Sequence, residues 1–187
     1  MEFVPTDLPG CVIVQTLARD DPRGSFAKTF HLNTFAAAGL RTDWREEYHS
    51  HSRRGVVRGM HFQLPPTDHA KLVYCLAGEV LDVVIDLRVG SPTFRRTISA
   101  PLTAGNGRGL YVPSGCAHGF ASLSEDSLML YKVTSVHSPD CDAGIAWDSI
   151  GFNWPIDAPL LSERDARHPV LAAFDSPFRF DEADPFR

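Results

Sequence analysis

The chain has 187 residues, of which 43% are hydrophobic and 22% charged, and its formal net charge is -5. This composition is typical of a globular protein that is large enough to bury a core without disulfides or metals. The negative charge argues against a nucleic-acid surface, and no apolar run is long enough to span a membrane. We therefore expect no nucleic-acid and no membrane partner.

The N-terminal segment MEFVPTDLPG has neither the basic start nor the apolar stretch of a secretory signal, which predicts a cytoplasmic protein. Thiols stay reduced in that compartment. The four cysteines are scattered and form no CxxC pair, so we expect them to be small buried hydrophobic residues. They are Cys11, Cys75, Cys116 and Cys141.

Turn-forming residues interrupt the chain roughly every 8 to 12 residues, a rhythm that favours a β-sandwich or barrel. The first predicted helix, LNTFAAAGL over 32–40, is short and ends at a glycine. The next segments, LVYCLAG and EVLDVVIDLR, are two strand-like runs on either side of Ala77 and Gly78. We predict a hairpin there.

Further strands are predicted in GLYVPSG and in FASLSEDSLMLYKVTS, the second with a turn at 124–126. LSERDARHP over 161–169 is a possible second helix, with Ser162 as N-cap and Pro169 limiting its end. We predict one domain over 1–187, with a core at about 20–170 and an irregular extension over 171–187.

Two motifs refine the fold class. Gly55 and His61 fit the spacing G-x5-H, and residues 107–120 fit G-x5-P-x-G-x2-H, which ends at His118. Together they resemble the two motifs of the cupin superfamily. The resemblance implies an all-β protein, a cupin-type jelly-roll β-barrel with short flanking helices.

The metal ligands of the cupin motifs are incomplete. Metal-binding cupins have H-x-H followed by a glutamate in the first motif, whereas here Gln63 replaces the second histidine and Asp68 is an imperfect substitute for the glutamate. A site of two histidines and one carboxylate stays conceivable. His49 and His51 are a second candidate pair, although a solvated segment is the commoner explanation. We predict no metal.

A closer resemblance covers most of residues 20 to 170. Six runs occur in the order found in the dTDP-4-dehydrorhamnose 3,5-epimerase family, and the ordered set is far more specific than any one string. The runs are DPRGSFAKTF (21–30), HSHSRRGVVRGMHFQLPP (49–66), AKLVYCLAGEVLDVVIDLRVGSPTF (70–94), LYVPSGCAHGFASLSEDSLMLYKVTS (110–135), GIAWDS (144–149) and LSERDARHP (161–169).

The resemblance implies an isomerase of deoxysugar and polysaccharide biosynthesis that acts on a nucleotide-linked 4-keto-6-deoxyhexose without a cofactor. Its base would be His61, oriented by Asp165, while Lys71 would stabilise the enolate oxygen and Tyr131 would return a proton from the other face. Singly, a structural histidine, a core tyrosine and an ordinary aspartate are the commoner explanations. The four together reverse that judgement.

The resemblance also implies the substrate-binding residues and a partner. Arg23, Arg58 and His118 match positions that contact the diphosphate and the sugar, and guanidinium groups suit phosphates by bidentate geometry. Phe26 lies in the same run as Arg23. A homodimer with an exchanged N-terminal strand is implied, in which Arg23 would serve the partner's pocket. A salt bridge to a neighbouring strand is the structural alternative for Arg58.

Four positions depart from the family pattern. Lys28, Glu46 and Tyr48 stand where a glutamate, a glutamine and an asparagine usually read the base. Lysine offers only donors and glutamate only acceptors, so we hypothesise a CDP or GDP sugar in place of a dTDP sugar. His137 replaces a tyrosine near the sugar, which raises the possibility of inversion at C3 only or at C5 only.

Two other kinds of protein stay open from the sequence. The first is a metal-dependent cupin enzyme, such as a dioxygenase or isomerase. The second is a non-catalytic cupin that binds sugars and has lost turnover. Metal analysis and mutation of His61 separate these from the epimerase.

Overall fold

The computed structural model describes residues 1–186, which form thirteen β-strands, one α-helix and three single 3-10 turns. The strands are β1 (Glu2–Pro5), β2 (Val12–Gln15), β3 (Arg19–Asp21), β4 (Gly24–Phe26), β5 (Glu46–Arg53), β6 (Val57–Gln63), β7 (Lys71–Ala77), β8 (Glu79–Asp86), β9 (Thr97–Thr103), β10 (Arg108–Val112), β11 (Cys116–Ser122), β12 (Asp126–Val133) and β13 (Asp142–Gly144). The helix is α1 (Leu32–Ala37), and the 3-10 turns are Trp147–Ser149, Asp165–Arg167 and Leu171–Ala173.

Two antiparallel sheets form the body of the protein. The six-stranded sheet has the order β1-β2-β10-β7-β12-β5, and the five-stranded sheet has the order β13-β6-β11-β8-β9. Buried side chains from both sheets meet in one core cluster, for example Val73 and Met129 from the first and Val84 and Phe120 from the second. This arrangement is a jelly-roll barrel and confirms the all-β prediction.

The predicted hairpin at Ala77 and Gly78 is wrong. β7 pairs with β10 and β12, whereas β8 pairs with β9 and β11, so the chain crosses from one sheet to the other at this turn. Gly78 has φ +75°, and a side-chain carbon there would lie 2.1 Å from the Asp126 carbonyl oxygen. Both strands are central in their own sheets, and a run of buried residues cannot indicate which sheet each joins.

The turn after β11 was predicted correctly, and there too the chain crosses from one sheet to the other. Ser124 Oγ donates to the carbonyl of Asp126 and accepts from the backbone N–H of Glu79, which holds the two crossing turns together. β11 then belongs to the five-stranded sheet and β12 to the six-stranded one. The two crossings bring strands from adjacent sequence onto opposite walls of the barrel.

The helix predictions had different outcomes. The helix over 32–40 is confirmed as α1, and Gly39 follows it with φ +76°. The possible helix over 161–169 is instead one 3-10 turn at Asp165–Arg167. Ser162 does accept the Asp165 N–H at 3.0 Å, but Pro169 follows so closely that no α-helical ladder can form.

The segment over 171–186 has one 3-10 turn and an isolated bridge between Arg179 and Val89, and it packs against the barrel. The predicted extension over 171–187 also includes Arg187, which lies outside the described residues. Phe178 is buried beside β6 and β11 residues, and Arg88 donates to the carbonyl of Pro185 at 3.2 Å. The Tyr111 hydroxyl donates to the carbonyl of Phe186 at 2.6 Å. These contacts cover side chains that the barrel alone would leave exposed.

All four cysteines are free thiols, and three of them are buried as expected, while Cys141 is half-buried. Burial raises the pKa of Cys11 to about 12 and that of Cys75 to about 11, so both stay neutral. Among residues 1–186, no helix is long and apolar enough to cross a membrane.

Candidate active site

A cavity of about 360 Å³ opens between the two sheets. The six-stranded sheet supplies Glu46, Tyr48, Lys71 and Tyr131, and the five-stranded sheet supplies His61 and His118. Alternation along β5 places Glu46, Tyr48 and Ser50 on its cavity face, whereas the neighbours of His61 and Lys71 on β6 and β7 are buried. The structure thus brings all but one of the predicted catalytic side chains to one cavity wall or the other.

The remaining one, Asp165, lies directly behind His61. Asp165 Oδ1 is 2.7 Å from His61 Nε2, and its Oδ2 accepts the backbone N–H of Gly59 at 3.4 Å. The carboxylate is only 4% exposed, whereas His61 is 26% exposed toward the cavity. Because Nε2 donates to the carboxylate, Nδ1 is the nitrogen left with a lone pair.

The pKa shifts suit a neutral imidazole on a charged carboxylate. Burial lowers the pKa of His61 below its usual value, against the opposing effect of Asp165. Burial alone would raise the pKa of Asp165, but the hydrogen bond and charge of His61, the Gly59 N–H and Arg164 together lower it. Near neutral pH the pair is therefore an unprotonated histidine held by an ionised aspartate.

Lys71 is a buried cation with few partners. Its ammonium donates to the carbonyl oxygen of His61 at 3.1 Å, and the side chain lines the cavity. Burial lowers its pKa to about 8, despite the raising effect of Asp142 and Asp82. A buried ammonium next to His61 has a strong attraction for any negative charge that develops in the cavity.

Tyr131 faces the cavity from the sheet opposite His61. Its hydroxyl is 3.1 Å from Ser50 Oγ, and its ring stacks on Tyr48 with centroids 4.8 Å apart and planes 15° apart. Burial raises the pKa of Tyr131 and raises that of Tyr48 to about 12. Tyr131 is therefore protonated near neutral pH and can donate its proton.

A second histidine–aspartate pair lies beside the first. His118 is directly opposite His61 in the pairing of β11 with β6, and its Nε2 is 2.9 Å from both Asp82 oxygens. Both side chains are buried, and burial raises the pKa of Asp82 against the lowering effects of His118 and Lys71. The ring edge of His118 also packs near Tyr131, with centroids 6.2 Å apart.

Two arginines line the cavity. Arg58 of β6 donates to Ser52 Oγ and to the carbonyl of His51, both at 3.0 Å, so its partners on β5, a strand of the other sheet, are neutral oxygens. The predicted alternative, a salt bridge to that strand, is not what the structure has among the described residues. Arg164 forms an ion pair with Asp142 and lies 3.8 Å from Asp165.

Glu46 and His137 line the cavity together. Glu46 Oε2 accepts the backbone N–H of His137 at 2.8 Å, so one carboxylate oxygen holds the loop that carries His137. The Gln63 side chain also holds this loop. It donates to the carbonyl of Thr67 and to Ser135 Oγ, and it accepts the N–H of Ser138. The residue that replaces the second cupin histidine therefore fastens the loop at the cavity mouth.

Three predicted binding residues lie outside the cavity of the single chain. Arg23 and Phe26 belong to the β3–β4 hairpin and are exposed, and Lys28 follows it on the surface. Arg23 donates to the carboxylate of Asp21 within the same hairpin. None of the three lines the cavity of the single chain.

The residues that the structure groups as possible metal ligands differ from those suggested by the sequence. His49 and His51 project from the outer face of β5, where His51 pairs with Asp126, and Asp68 bonds Ser114 away from the cavity. The donor atoms of His61, Asp165 and His168 do lie within 4.8 Å of one another. Arg164 beside Asp165, and Lys71 nearby, oppose a divalent cation there.

Sequence reasoning missed several residues of this site. Asp82 is one of the alternating aspartates of β8, and its inward position could have been inferred from the apolar residues two positions away on either side. Arg164 and His168 flank Asp165 in LSERDARHP. Ser50 and His69 carried no signal, because their roles depend on tertiary contacts. Ser50 Oγ meets Tyr131 on the adjacent strand β12, and His69 Nδ1 lies 2.9 Å from Ser135 Oγ.

The fold and site define a class: a cupin-type jelly-roll protein with an acid–base cavity. The family model described as dTDP-4-dehydrorhamnose 3,5-epimerase matches residues 5–173. A relative of that name from Shigella flexneri is 39% identical over 168 residues, which is 88% of this chain and 93% of the relative.

Solved structures agree. That of a dTDP-6-deoxy-D-glucose-3,5-epimerase from Legionella pneumophila, in complex with dTDP-4-keto-L-rhamnose, superposes with a TM-score of 0.91 at 31% identity, covering 96% of this chain and 98% of that one. A 3'-monoepimerase from Streptomyces bikiniensis, in complex with dTDP-quinovose, has a TM-score of 0.86 at 31% identity, with coverage of 90% and 87%. The chain belongs to the dTDP-4-dehydrorhamnose 3,5-epimerase family, whose members are isomerases.

Proposed function

We propose that the protein is a cofactor-independent epimerase that inverts C3, C5 or both in a 4-keto-6-deoxy sugar linked to a nucleoside diphosphate. The observation that carries the proposal is the placement of base and acid on opposite sheets, with His61 on β6 and Tyr131 on β12 facing one cavity. An inversion needs a proton removed from one face of the ring and returned to the other.

The first step is removal of a proton next to the ketone. Protons at C3 and C5 are acidic because the resulting carbanion delocalises onto the C4 oxygen. His61 Nδ1 takes the proton, and Asp165 balances the imidazolium through Nε2. The ammonium of Lys71 stabilises the enolate oxygen, and no electron leaves the substrate, so neither a redox cofactor nor a metal is needed for the balance.

The second step returns a proton to the same carbon from the other face. Tyr131 donates its phenolic proton and, as the enolate collapses to the ketone, is left as a phenolate beside Ser50 Oγ. Arg58 lines the same cavity and supplies donors for the diphosphate oxygens, and His118 lines it with one ring nitrogen bonded to Asp82.

Substrate binding is expected to need two chains. Arg23, Phe26 and Lys28 are exposed on or beside the β3–β4 hairpin, and none of them lines the chain's own cavity. A homodimer in which this hairpin enters the partner's cavity would bring them to the nucleotide. Cytoplasmic localisation stays a prediction from the sequence.

The reaction is tested in deuterium oxide. Wild-type protein with a dTDP-4-keto-6-deoxyglucose substrate is expected to incorporate deuterium at the inverted carbons, observed by proton NMR. Tyr131→Phe is expected to keep much of the exchange, because His61 is intact, and to lose about 10²-fold of inversion. Normal inversion by Tyr131→Phe would remove that residue from the mechanism.

The nucleotide is a separate question. The structural relatives described above bind dTDP sugars, which supports a dTDP sugar here. Lys28, Glu46 and Tyr48 support the alternative of a CDP or GDP sugar, although Glu46 has one oxygen already bonded to the loop at His137. Calorimetry with dTDP, UDP, CDP and GDP decides between them, and a clear dTDP preference rejects the alternative.

The carbons inverted are a third question. His137 lies at the cavity mouth, and one relative is named a 3'-monoepimerase, which supports inversion at a single carbon as an alternative. Deuterium at C3 alone, or at C5 alone, would establish it. Equal incorporation at both carbons would leave His137 without such an effect.

Two other functions were left open by the sequence and are tested cheaply. A metal-dependent cupin would be purified with stoichiometric iron, manganese or zinc. A non-catalytic sugar-binding cupin would bind the nucleotide sugar with no exchange at all, and His61→Ala would then change nothing.

A further inference from the structure

Asp165 is in contact with two histidines, and the proposed reaction uses only one of them. Its Oδ1 lies 2.7 Å from His61 Nε2 and 3.6 Å from His168 Nε2. The two imidazole rings meet edge to face, with centroids 5.7 Å apart. His168 is 11% exposed, so it forms part of the packing behind the base.

The position of His168 is fixed by its backbone and by a glycine. Asp165–Arg167 is a 3-10 turn, and Ala146 donates its N–H to the carbonyl of Pro169 at 2.8 Å. The ring lies on Gly144, where a side-chain carbon would be 2.5 Å from His168 Nε2. The 3-10 turn directs the ring toward the carboxylate, and the absence of a side chain at Gly144 leaves room for it there.

The protonation state of His168 follows from its surroundings. Nε2 is buried, and among residues 1–186 no hydrogen-bond partner is close enough to satisfy it, the nearest ionic partner being Asp165 Oδ1. A lone pair on Nε2 would face the negative oxygen and be repelled, whereas an N–H would be attracted. Burial lowers the pKa of His168, so the ring is neutral and carries its proton on Nε2.

We propose that His168 is a positioning residue for the base: its Nε2–H approaches Asp165 and shares the carboxylate with His61. This inference rests on the proposed function only in calling His61 the base. A carboxylate that receives a second N–H is a weaker acceptor for His61 and is held in one rotamer. His168 therefore keeps His61 oriented and keeps its basicity low.

Other charges act on the same pair and must be kept constant in a test. Lys71 and Arg164 lower the pKa of His61, while Asp165 raises it. His168 is affected by Asp165, Arg164 and Asp142. None of these side chains is altered by a substitution at His168, so a change in the titration of His61 reports the loss of the imidazole.

The test is an NMR titration of the His61 ring in the full chain without substrate. His168→Phe keeps the ring volume and removes the N–H, and it is expected to raise the pKa of His61 by about half a unit to one unit. His168→Gln keeps a side-chain N–H and is expected to restore most of the wild-type value. His51→Phe, the same change at an exposed histidine outside the cavity, is the matched control and is expected to have no effect.

Kinetics give the second readout. His168→Phe is expected to lower kcat about 10-fold with a small change in KM, and to move the acid limb of the pH profile upward. An unchanged His61 titration in folded His168→Phe overturns the proposal. Equal shifts in His168→Phe and His168→Gln also overturn it, because packing would then explain the effect.

Failure of the proposed function is recognised separately. If wild-type protein exchanges no proton with any keto sugar tested, His61 is not the base of an epimerase. The titration of His61 in the three variants then still decides whether His168 shares Asp165. A poorly folded His168→Phe is replaced by His168→Leu, which also lacks the N–H and carries the same expected shift.

Discussion

Two histidine–aspartate pairs have their histidines on adjacent strands of the five-stranded sheet, facing one cavity, and they differ in burial. His61 is half-buried and its carboxylate comes from the segment after the barrel, whereas His118 and Asp82 are both buried and belong to barrel strands. Asp165 presents one oxygen to His61 Nε2 at 2.7 Å. His118 directs one nitrogen to both oxygens of Asp82.

The difference shows that a histidine beside a carboxylate is not enough to identify a general base, because the exposure of the ring and the ionisation of the carboxylate also matter. Burial raises the pKa of Asp82, while the pKa of Asp165 is lowered by its several donors. A pair inside the barrel contributes mainly to its stability and to the shape of the cavity wall. A pair with an open face and a firmly ionised carboxylate is suited to proton transfer.

The largest expected effect comes from removing the imidazole of His61, the more exposed of the two histidines. His61→Asn is expected to lower solvent exchange by about 10³-fold or more, because no other described group is placed to take the proton. Proton NMR in deuterium oxide measures it, with the melting temperature as control for folding. Retention of a tenth of the wild-type rate would contradict the assignment of His61 as base.

Asp165→Asn is expected to have the next largest effect, a loss of about 10²-fold in kcat with the fold intact. The amide can hold His61 in the wrong tautomer and cannot balance the imidazolium. Steady-state kinetics measure the loss, and thermal melting shows whether stability changed. A variant that loses stability but keeps its rate would give Asp165 the role assigned here to Asp82.

Asp82→Asn is expected to have the opposite pattern, a large loss of stability and a small loss of rate. It leaves His118 buried without its anionic partner, so the free energy of unfolding is expected to fall by about 3 kcal/mol, while kcat falls by about 10-fold at most. Denaturant titration and kinetics on one sample give both numbers. If Asp82→Asn and Asp165→Asn cost the same in each measurement, the distinction between the two pairs disappears.

The pH profile of the reaction tests the His61–Asp165 pair and Lys71. Activity is lost as pH falls through the pKa of His61, which burial places below its usual value, because the protonated ring cannot act as base. Activity is also lost as pH rises through about 8, where Lys71 gives up its charge. We expect kcat/KM to change about tenfold per pH unit on each limb.

Lys71→Gln is the control for that profile. The variant is expected to be slower at every pH and to lack the alkaline limb, because no charge remains to be lost. An alkaline limb that persists in Lys71→Gln must come from another group, and Lys71 would then not be the cation that titrates.

The sequence predicted the fold class and much of the site, for identifiable reasons. The spacing of turn residues indicated an all-β protein, but it could not indicate that the chain changes sheets at Gly78, because strands buried on both faces have no pattern that names their partners. His61 and Asp165 are 104 positions apart, so only a resemblance to a family could pair them. Asp82 and His168 escaped notice because their partners depend on register and on the close approach at Gly144.

Asp165, the carboxylate that orients the base in the proposed mechanism, is carried by a segment made after the last barrel strand, which ends at Gly144. A chain emerging from the ribosome therefore holds the base, the lysine and the tyrosine before Asp165 exists. In the proposed mechanism such a chain lacks the carboxylate that orients its base and cannot turn a substrate over efficiently. The order of synthesis thus ties catalytic competence to one of the last segments to be made, and activity reports that this segment has docked.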